Sequence, residues 1–176
     1  MAINQQTAEA ILLYLLKLED RSLSGTIRNL NDGGGLTRFG ITSRFDNQLI
    51  PPDYWHASTA DALRMAVEFY QTQFWNKLNL SQLDDVQLAA SVLSYAVNAG
   101  LVTGAKKLEQ VLGTFQDGVI GPKDIAAANA QPGAEDAFIE SLVSFYYNLV
   151  KSDPTKEQFL VGWISRARAR YPTLPS

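Results

Sequence analysis

The sequence has no cysteine and a single histidine, His56, in 176 residues. Without cysteine there are no disulfides, no thiol nucleophile and no cysteine-ligated zinc. With one histidine, a Ser-His-Asp triad would have to run through His56, yet no nucleophile-elbow pattern is present. A histidine-based metal site lacks ligands as well, so no metal and no cofactor is expected. Positive charge is also in short supply. The formal net charge is −3, with a pI near 5.1, which argues against non-specific nucleic-acid binding, because that needs a basic face to displace counterions. The one basic cluster is RARAR at 166–170. On a helix Arg166 and Arg170 share a face while Arg168 points away, and these charges are expected to be solvated and to complement a helix C-terminus. No apolar run is long enough to span a bilayer, so no stable membrane insertion is expected. The N-terminal MAINQQTAEAILLYLLKLED has no basic n-region and no small-residue cleavage site, and Tyr14 and Lys17 interrupt its apolar run. The expectation is a soluble chain that its own sequence does not export. If it does hydrolytic chemistry, carboxylates must carry it.

What is present is a core. A hydrophobic content of 46% suits one domain, with room for a small subdomain. Residues 4–19 read as an amphipathic helix with Asn4 as its N-cap and Ile11, Leu12, Leu15, Leu16 and Leu18 on a wide apolar face. Residues 20–57 are irregular, with glycines, the Pro51-Pro52 pair and short β-branched pieces. A segment that long inside a compact domain is usually functional. Ser58-Thr59 opens a helix through about Trp75, with further helices expected near 85–98, 103–112, 134–151 and 155–170. FQDGVIGPKDIAAAN reads as a tight turn followed by a short helix with Pro122 at its first position. The class is mainly α, with a small irregular or β region near 20–57.

One stretch stands apart. LNDGGGLTRFGIT, residues 30–42, places Gly33, Gly34 and Gly35 after Asp32 and then returns at once to an apolar, β-branched run. A plain linker would stay polar, so this is expected to be a loop tied to a binding surface. Glycines there permit positive φ and let backbone amides approach a ligand closely, although a plain turn explains the same residues.

DGGGLTRFGIT resembles the D-P-G-G-A-T-x-[FY]-G-I-T block of glycoside hydrolase family 108, bacterial and phage N-acetylmuramidases of the lysozyme-like superfamily. Other blocks follow in the family's order. FYQTQFW (69–75) resembles its Y-x-x-x-[YF]-W segment, and SYAVNAG (94–100) its D-x-x-V-N-x-G signature. LEQVLGTFQDGVIGP (108–122) is similar to a block shared with predicted peptidoglycan-binding domains. FLVGWISRARA (159–169) resembles the closing G-W-x-x-R helix. The sequence departs from the pattern near its first helix. Glu19 is followed by Asp20-Arg21-Ser22 where the family has E-G-G, Asp32 lies further downstream than usual, and Gly33 stands in place of a proline.

The resemblance implies a lysozyme-like helical domain and a catalytic glutamate at the end of the first helix, here Glu19. A glycosidase needs a proton for the leaving oxygen and stabilisation of an oxocarbenium-like transition state. A helix C-terminus flanked by Leu16 and Leu18 disfavours a carboxylate and so suits a general acid. Asp32 then either positions water or charge, or nucleates the glycine turn. Thr37 either holds water or a sugar, or is a strand residue. Gly34 and Gly35 are candidates for cradling the substrate. Tyr70, Trp75 and Tyr95 are candidates for binding it, against the alternative of core packing. Asn98 competes between an acetamido contact and a helix cap. Asp117, Gly118 and Gly121 are expected to shape a turn.

The expected organisation is a catalytic region over 1–98 and a peptidoglycan-binding-like region over 99–176. The expected activity is cleavage of the β-1,4 bond between N-acetylmuramic acid and N-acetylglucosamine in peptidoglycan, as a phage lysis protein or a wall hydrolase. Such a protein is made in the bacterial host cytoplasm, passes a separate holin-like pore and acts in the periplasm or cell wall. The alternatives are a catalytically inactive wall-binding or phage structural protein of the same fold, and a hydrolase of another amino-sugar polymer such as chitosan.

Overall fold

The computed structural model describes residues 2–29, 35–46 and 48–172. It is mainly α-helical with a small antiparallel sheet, as expected. The chain divides into two compact units: one is Gln6–Gln73, and the other is Met1–Gln5 with Phe74–Ser176.

The first unit opens with α1, Gln5–Glu19, which buries Ala8, Ile11, Leu12, Leu15 and Leu16. Ile11, Leu12, Leu15 and Leu16 belong to the stripe read from the sequence; Ala8 joins them at the same helical spacing, and Leu18 is only half-buried. Three short strands follow, β1 (Arg28–Asn29), β2 (Leu36–Arg38) and β3 (Ile41–Thr42), hydrogen-bonded in that order and antiparallel. Arg28 pairs with Thr37, and Arg38 with Ile41. A single turn, α2 (Ser43–Asp46), comes next, and Asp46 accepts the backbone N–H and the hydroxyl of Thr42 at 2.8 and 3.0 Å. α3, Thr59–Tyr70, is capped by Ser58, whose hydroxyl accepts the Asp61 N–H.

The α3 helix was expected to run to Trp75. It ends as a regular helix at Tyr70 and continues as a π-helical turn over Gln71–Trp75. The Thr72 hydroxyl donates to the carbonyls of Glu68 (2.9 Å) and Phe69 (3.2 Å). It competes there with the backbone N–H groups of the regular ladder.

Arg38 organises the irregular part of this unit. It is 5% exposed. Its Nε donates to the Gly25 carbonyl at 2.9 Å, one terminal nitrogen to Tyr54 and Ala57, and the other also to Ala57. The Tyr54 hydroxyl donates back to the Arg38 carbonyl at 2.8 Å. Burial pushes that phenol well above its usual range even though the Arg38 charge opposes it.

The second unit is built on α4, Val86–Ala99. Asp85 caps it, accepting the N–H groups of Gln87 and Leu88. α4 is buried on most of its circumference, as a central helix must be, and packs against α5 (Leu101–Leu112), α7 (Ala134–Ser152) and α8 (Glu157–Ala167). At the α4–α5 crossing a side chain at Gly104 would stand 2.5 Å from the Ala96 Cβ, so the backbones meet there. α6 (Pro122–Ala130) begins on Pro122, as read from the sequence. The turn before it is clamped by Glu109, which is fully buried and accepts the Gly118 N–H on both carboxylate oxygens at 3.0 Å and the Val119 N–H at 3.1 Å.

Two expectations are corrected here. Asn98 does not end a helix, because α4 runs one residue further and Gly100, at φ +98°, takes the cap. The RARAR cluster is not a uniformly solvated run. α8 stops at Ala167, and Arg170 lies beyond it, paired with Glu135 and Asp136 in the first turn of α7. Arg170 stays exposed to solvent while pairing with these acidic side chains. Arg166 is half-buried, its guanidinium 3.5 Å from the Ser94 carbonyl.

Two stability predictions follow from these clamps. Arg38→Met should destabilise the protein by roughly 3 kcal/mol or more, because several buried carbonyls lose their donor together. Arg38→Lys should recover little of this, since one ammonium cannot replace a planar fork. Equilibrium urea unfolding measures both. For Glu109, burial pushes the carboxyl up, the Gly118 N–H pulls it back, and Asp117 raises it further. A carboxyl raised in the folded state binds its proton more tightly there than in the unfolded chain. Its contribution is therefore greatest below the ordinary carboxylate range and is lost as pH rises through the folded value. Glu109→Gln does not titrate, so thermal melts should show the variant gaining on the wild type as pH rises above the ordinary carboxylate range.

Candidate active site

Glu19 is the last residue of α1 and is half-buried. Its neighbour Asp20 is committed to the loop that follows. The Asp20 carboxylate accepts the Gly25 N–H (2.9 Å) and the hydroxyls of Ser22 (2.9 Å) and Ser24 (3.1 Å). Burial alone would raise the Asp20 carboxyl, but these hydrogen bonds outweigh it and hold it below its usual range. Asp20 thus stays ionised and structural. Glu19 faces elsewhere.

It faces the β2–β3 hairpin. With Arg38 paired to Ile41 the connection is the two residues Phe39 and Gly40, whose φ values are +50° and +78°, the left-handed backbone that a tight hairpin turn requires. The turn packs closely on Glu19. A Cβ added to Gly40 would stand 3.0 Å from Glu19 Cγ and 3.3 Å from Glu19 Oε2. It would also stand 2.6 Å from the hydroxyl of Tyr70, which donates to the Phe39 carbonyl at 3.0 Å. Two residues singled out in the sequence, Glu19 and Tyr70, therefore meet around a third, Gly40, that was not.

Thr37 sits one pair along the same hairpin, opposite Thr42. Its hydroxyl oxygen is buried and has no hydrogen-bond partner among the described residues. Gly35 leads into β2 with φ +76°, and a Cβ there would stand 2.5 Å from the Ser43 hydroxyl. That hydroxyl accepts the Leu36 N–H at 2.9 Å, so Gly35 needs both its conformation and its lack of a side chain. Asp32 and Gly34 lie outside the described residues. Tyr70 is 2% exposed, with its ring edge-on to Phe69 at 5.2 Å.

The other candidates belong to the second unit. Trp75 is 2% exposed. Tyr95 is buried with its ring edge-on to Phe138 at 6.2 Å. Tyr95 and Asn98 line a small pocket of about 10 Å³ with Ser94, Tyr146 and Arg166, room for one water-sized group. Burial pushes the Tyr146 phenol up, while the Arg166 charge and a hydrogen bond with Asn98 draw it down. Sequence reading missed Gly40, Arg38 and Tyr146. The Phe39-Gly40 pair between Thr37-Arg38 and Ile41-Thr42 was the available signal for the hairpin turn. Arg38 and Tyr146 carried none. Among the described residues no group of acidic or histidine side chains is placed to hold a metal ion, and no helix is long and apolar enough to cross a membrane.

This architecture has relatives. A solved structure of Brucella abortus SagA superposes with a TM-score of 0.68 at 23% identity, covering 93% of this chain and 91% of that one. At that identity the likeness establishes the fold. No curated protein matches the chain. The family model described as Glycosyl hydrolase 108 matches residues 21–100, and the one described as Predicted Peptidoglycan domain matches residues 104–168. Both fall in the order in which the sequence blocks resemble that family, and the first begins two residues after Glu19. The chain therefore carries a match to the glycosyl hydrolase 108 model followed by a match to the predicted peptidoglycan domain model.

Proposed function

We propose that the protein cleaves the β-1,4 bond between N-acetylmuramic acid and N-acetylglucosamine, with Glu19 as general acid. A glycosyl hydrolase 108 domain joined to a predicted peptidoglycan domain supports a peptidoglycan hydrolase. The observation that carries the finer reading is the place of Glu19 at the end of α1, half-buried and seated against a close-packed hairpin turn. A general acid needs this kind of fixed, partly desolvated seat.

In this reading Glu19 gives its proton to the bridging oxygen as the glycosidic bond breaks. The electron pair of that bond leaves with the N-acetylglucosamine oxygen, and positive charge develops on the muramic acid ring. Asp32 and Thr37 are assigned to that charge and to the water that completes hydrolysis. Gly34 and Gly35 shape the loop beside the sugar. Tyr70 holds the hairpin turn beside Glu19, and in the second unit Trp75, Tyr95 and Asn98 are assigned to wall binding. The site of action is the cell wall.

A second reading, an inactive wall-binding module of the same fold, is favoured by one fact: the hydrolase-family match begins at residue 21, beyond Glu19. Zymography on purified peptidoglycan, chitin and chitosan separates the two, because only an enzyme clears a gel. Glu19→Gln keeps the size of the side chain and removes its transferable proton. Clearing of peptidoglycan should fall about 10²–10⁴-fold, with unfolding midpoints little changed. Asp20→Asn should instead cost stability. Loss of activity in Asp20→Asn with Glu19→Gln unaffected would mean that the wrong carboxylate has been assigned.

A further inference from the structure

We propose that Gly40 is the positioning residue for the Glu19 carboxyl: the bare face of the Phe39-Gly40 turn fixes where that carboxyl sits, and the Tyr70 hydroxyl fixes the turn. The inference rests on Glu19 being the general acid. Three contacts converge on the place where a Gly40 side chain would be. They are the Tyr70 hydroxyl at 2.6 Å, Glu19 Cγ at 3.0 Å and Glu19 Oε2 at 3.3 Å. A methyl group cannot occupy that place without moving at least one of them.

The turn itself has little freedom to yield. It spans only two residues, both at positive φ. The residue before it is Arg38, whose guanidinium is fixed by the carbonyls of Gly25, Tyr54 and Ala57. The residue after it is Ile41, which is fully buried. The Phe39 carbonyl is held by Tyr70, which projects from the last turn of α3. When a methyl group is forced among these contacts, the Tyr70 hydroxyl and the Glu19 side chain are the groups that must give, and the carboxyl moves from its seat. Misplacing a reacting group by about 1 Å costs on the order of 10²-fold in rate, so a small shift here is read directly in turnover.

The test is the kinetics of Gly40→Ala on solubilised peptidoglycan glycan strands. The expected result is a fall in kcat of roughly 10–100-fold with KM unchanged within about twofold. Gly113→Ala is the control for backbone strain. Gly113 has a similar φ of +68° with nothing within 4 Å of a would-be Cβ, so this variant should lose stability and keep its kcat. Adding Tyr70→Phe to Gly40→Ala removes the closest obstruction and should restore part of the lost kcat. A double variant no better than the single one overturns the proposed geometry. Tyr70→Phe alone should lower kcat a few-fold at unchanged KM, by loosening the turn. If Gly40→Ala does not fold, that variant decides the matter, and a wild-type kcat there overturns the proposal. A normal kcat in Gly40→Ala with Glu19→Gln inactive rejects the positioning role and leaves the general acid in place. Full activity in Glu19→Gln rejects the general acid itself.

Discussion

A buried guanidinium holds the first unit together. Taking a cation out of water is expensive, and such a group is tolerated only where its donors are met. The described partners of Arg38 are carbonyl oxygens, from Gly25, Tyr54 and Ala57. Its plane also lies near the Phe39 and Tyr54 rings, at 6.0 and 5.6 Å from their centroids, where the ring faces offer further attraction. Segments with no regular secondary structure of their own cannot satisfy their carbonyls through a ladder. Arg38 supplies that missing ladder from one side chain. Charge-assisted hydrogen bonds of this kind are stronger than neutral ones, so one residue can gather loops that have little apolar surface to bury.

The candidate site depends on this gathering. β2 and β3 are three and two residues long, too short to be stable alone. Their register is fixed at one end by Arg38 and along their length by the buried Ile41. The connecting turn is thereby brought to Glu19 as a rigid surface. The adjacent acids then separate by environment. Asp20 receives three donors from the loop and is locked as a carboxylate. Glu19 packs against the hairpin turn. Two neighbouring residues of the same chemistry thus meet different surroundings because the backbone after them turns in one direction.

Much of the fold was legible in the sequence because helices state themselves through spacing. The α1 stripe, the helix opening at Ser58 and the Pro122 start are local signals, and each appears close to where the pattern put it. What was not legible is non-local. Nothing near Arg38 indicates that carbonyls up to nineteen residues away will converge on it, and a cation beside β-branched residues reads as surface. Arg170 likewise looks solvated until α7 brings Glu135 and Asp136 to it. Of the candidate residues, Glu19 and Tyr70 stood out because a family pattern and helical spacing mark them. Gly40 was hidden by its surroundings. The three consecutive glycines drew the reading upstream, and the turn's other residue, Phe39, adopts a positive φ that its residue type does not advertise.

The second unit poses the complementary problem, a helix too apolar to say where its function lies. α4 is buried over most of its length, and along such a helix a polar residue must be hydrogen-bonded or pay for its desolvation. Its last two turns nevertheless carry Ser94, Tyr95 and Asn98, and α7 and α8 bring Tyr146 and Arg166 to the same pocket. The Ser94 hydroxyl oxygen is buried and has no hydrogen-bond partner among the described residues. Alanine there would avoid that cost without disturbing the packing. The polar lining at the end of this otherwise apolar helix encloses room for one water-sized group.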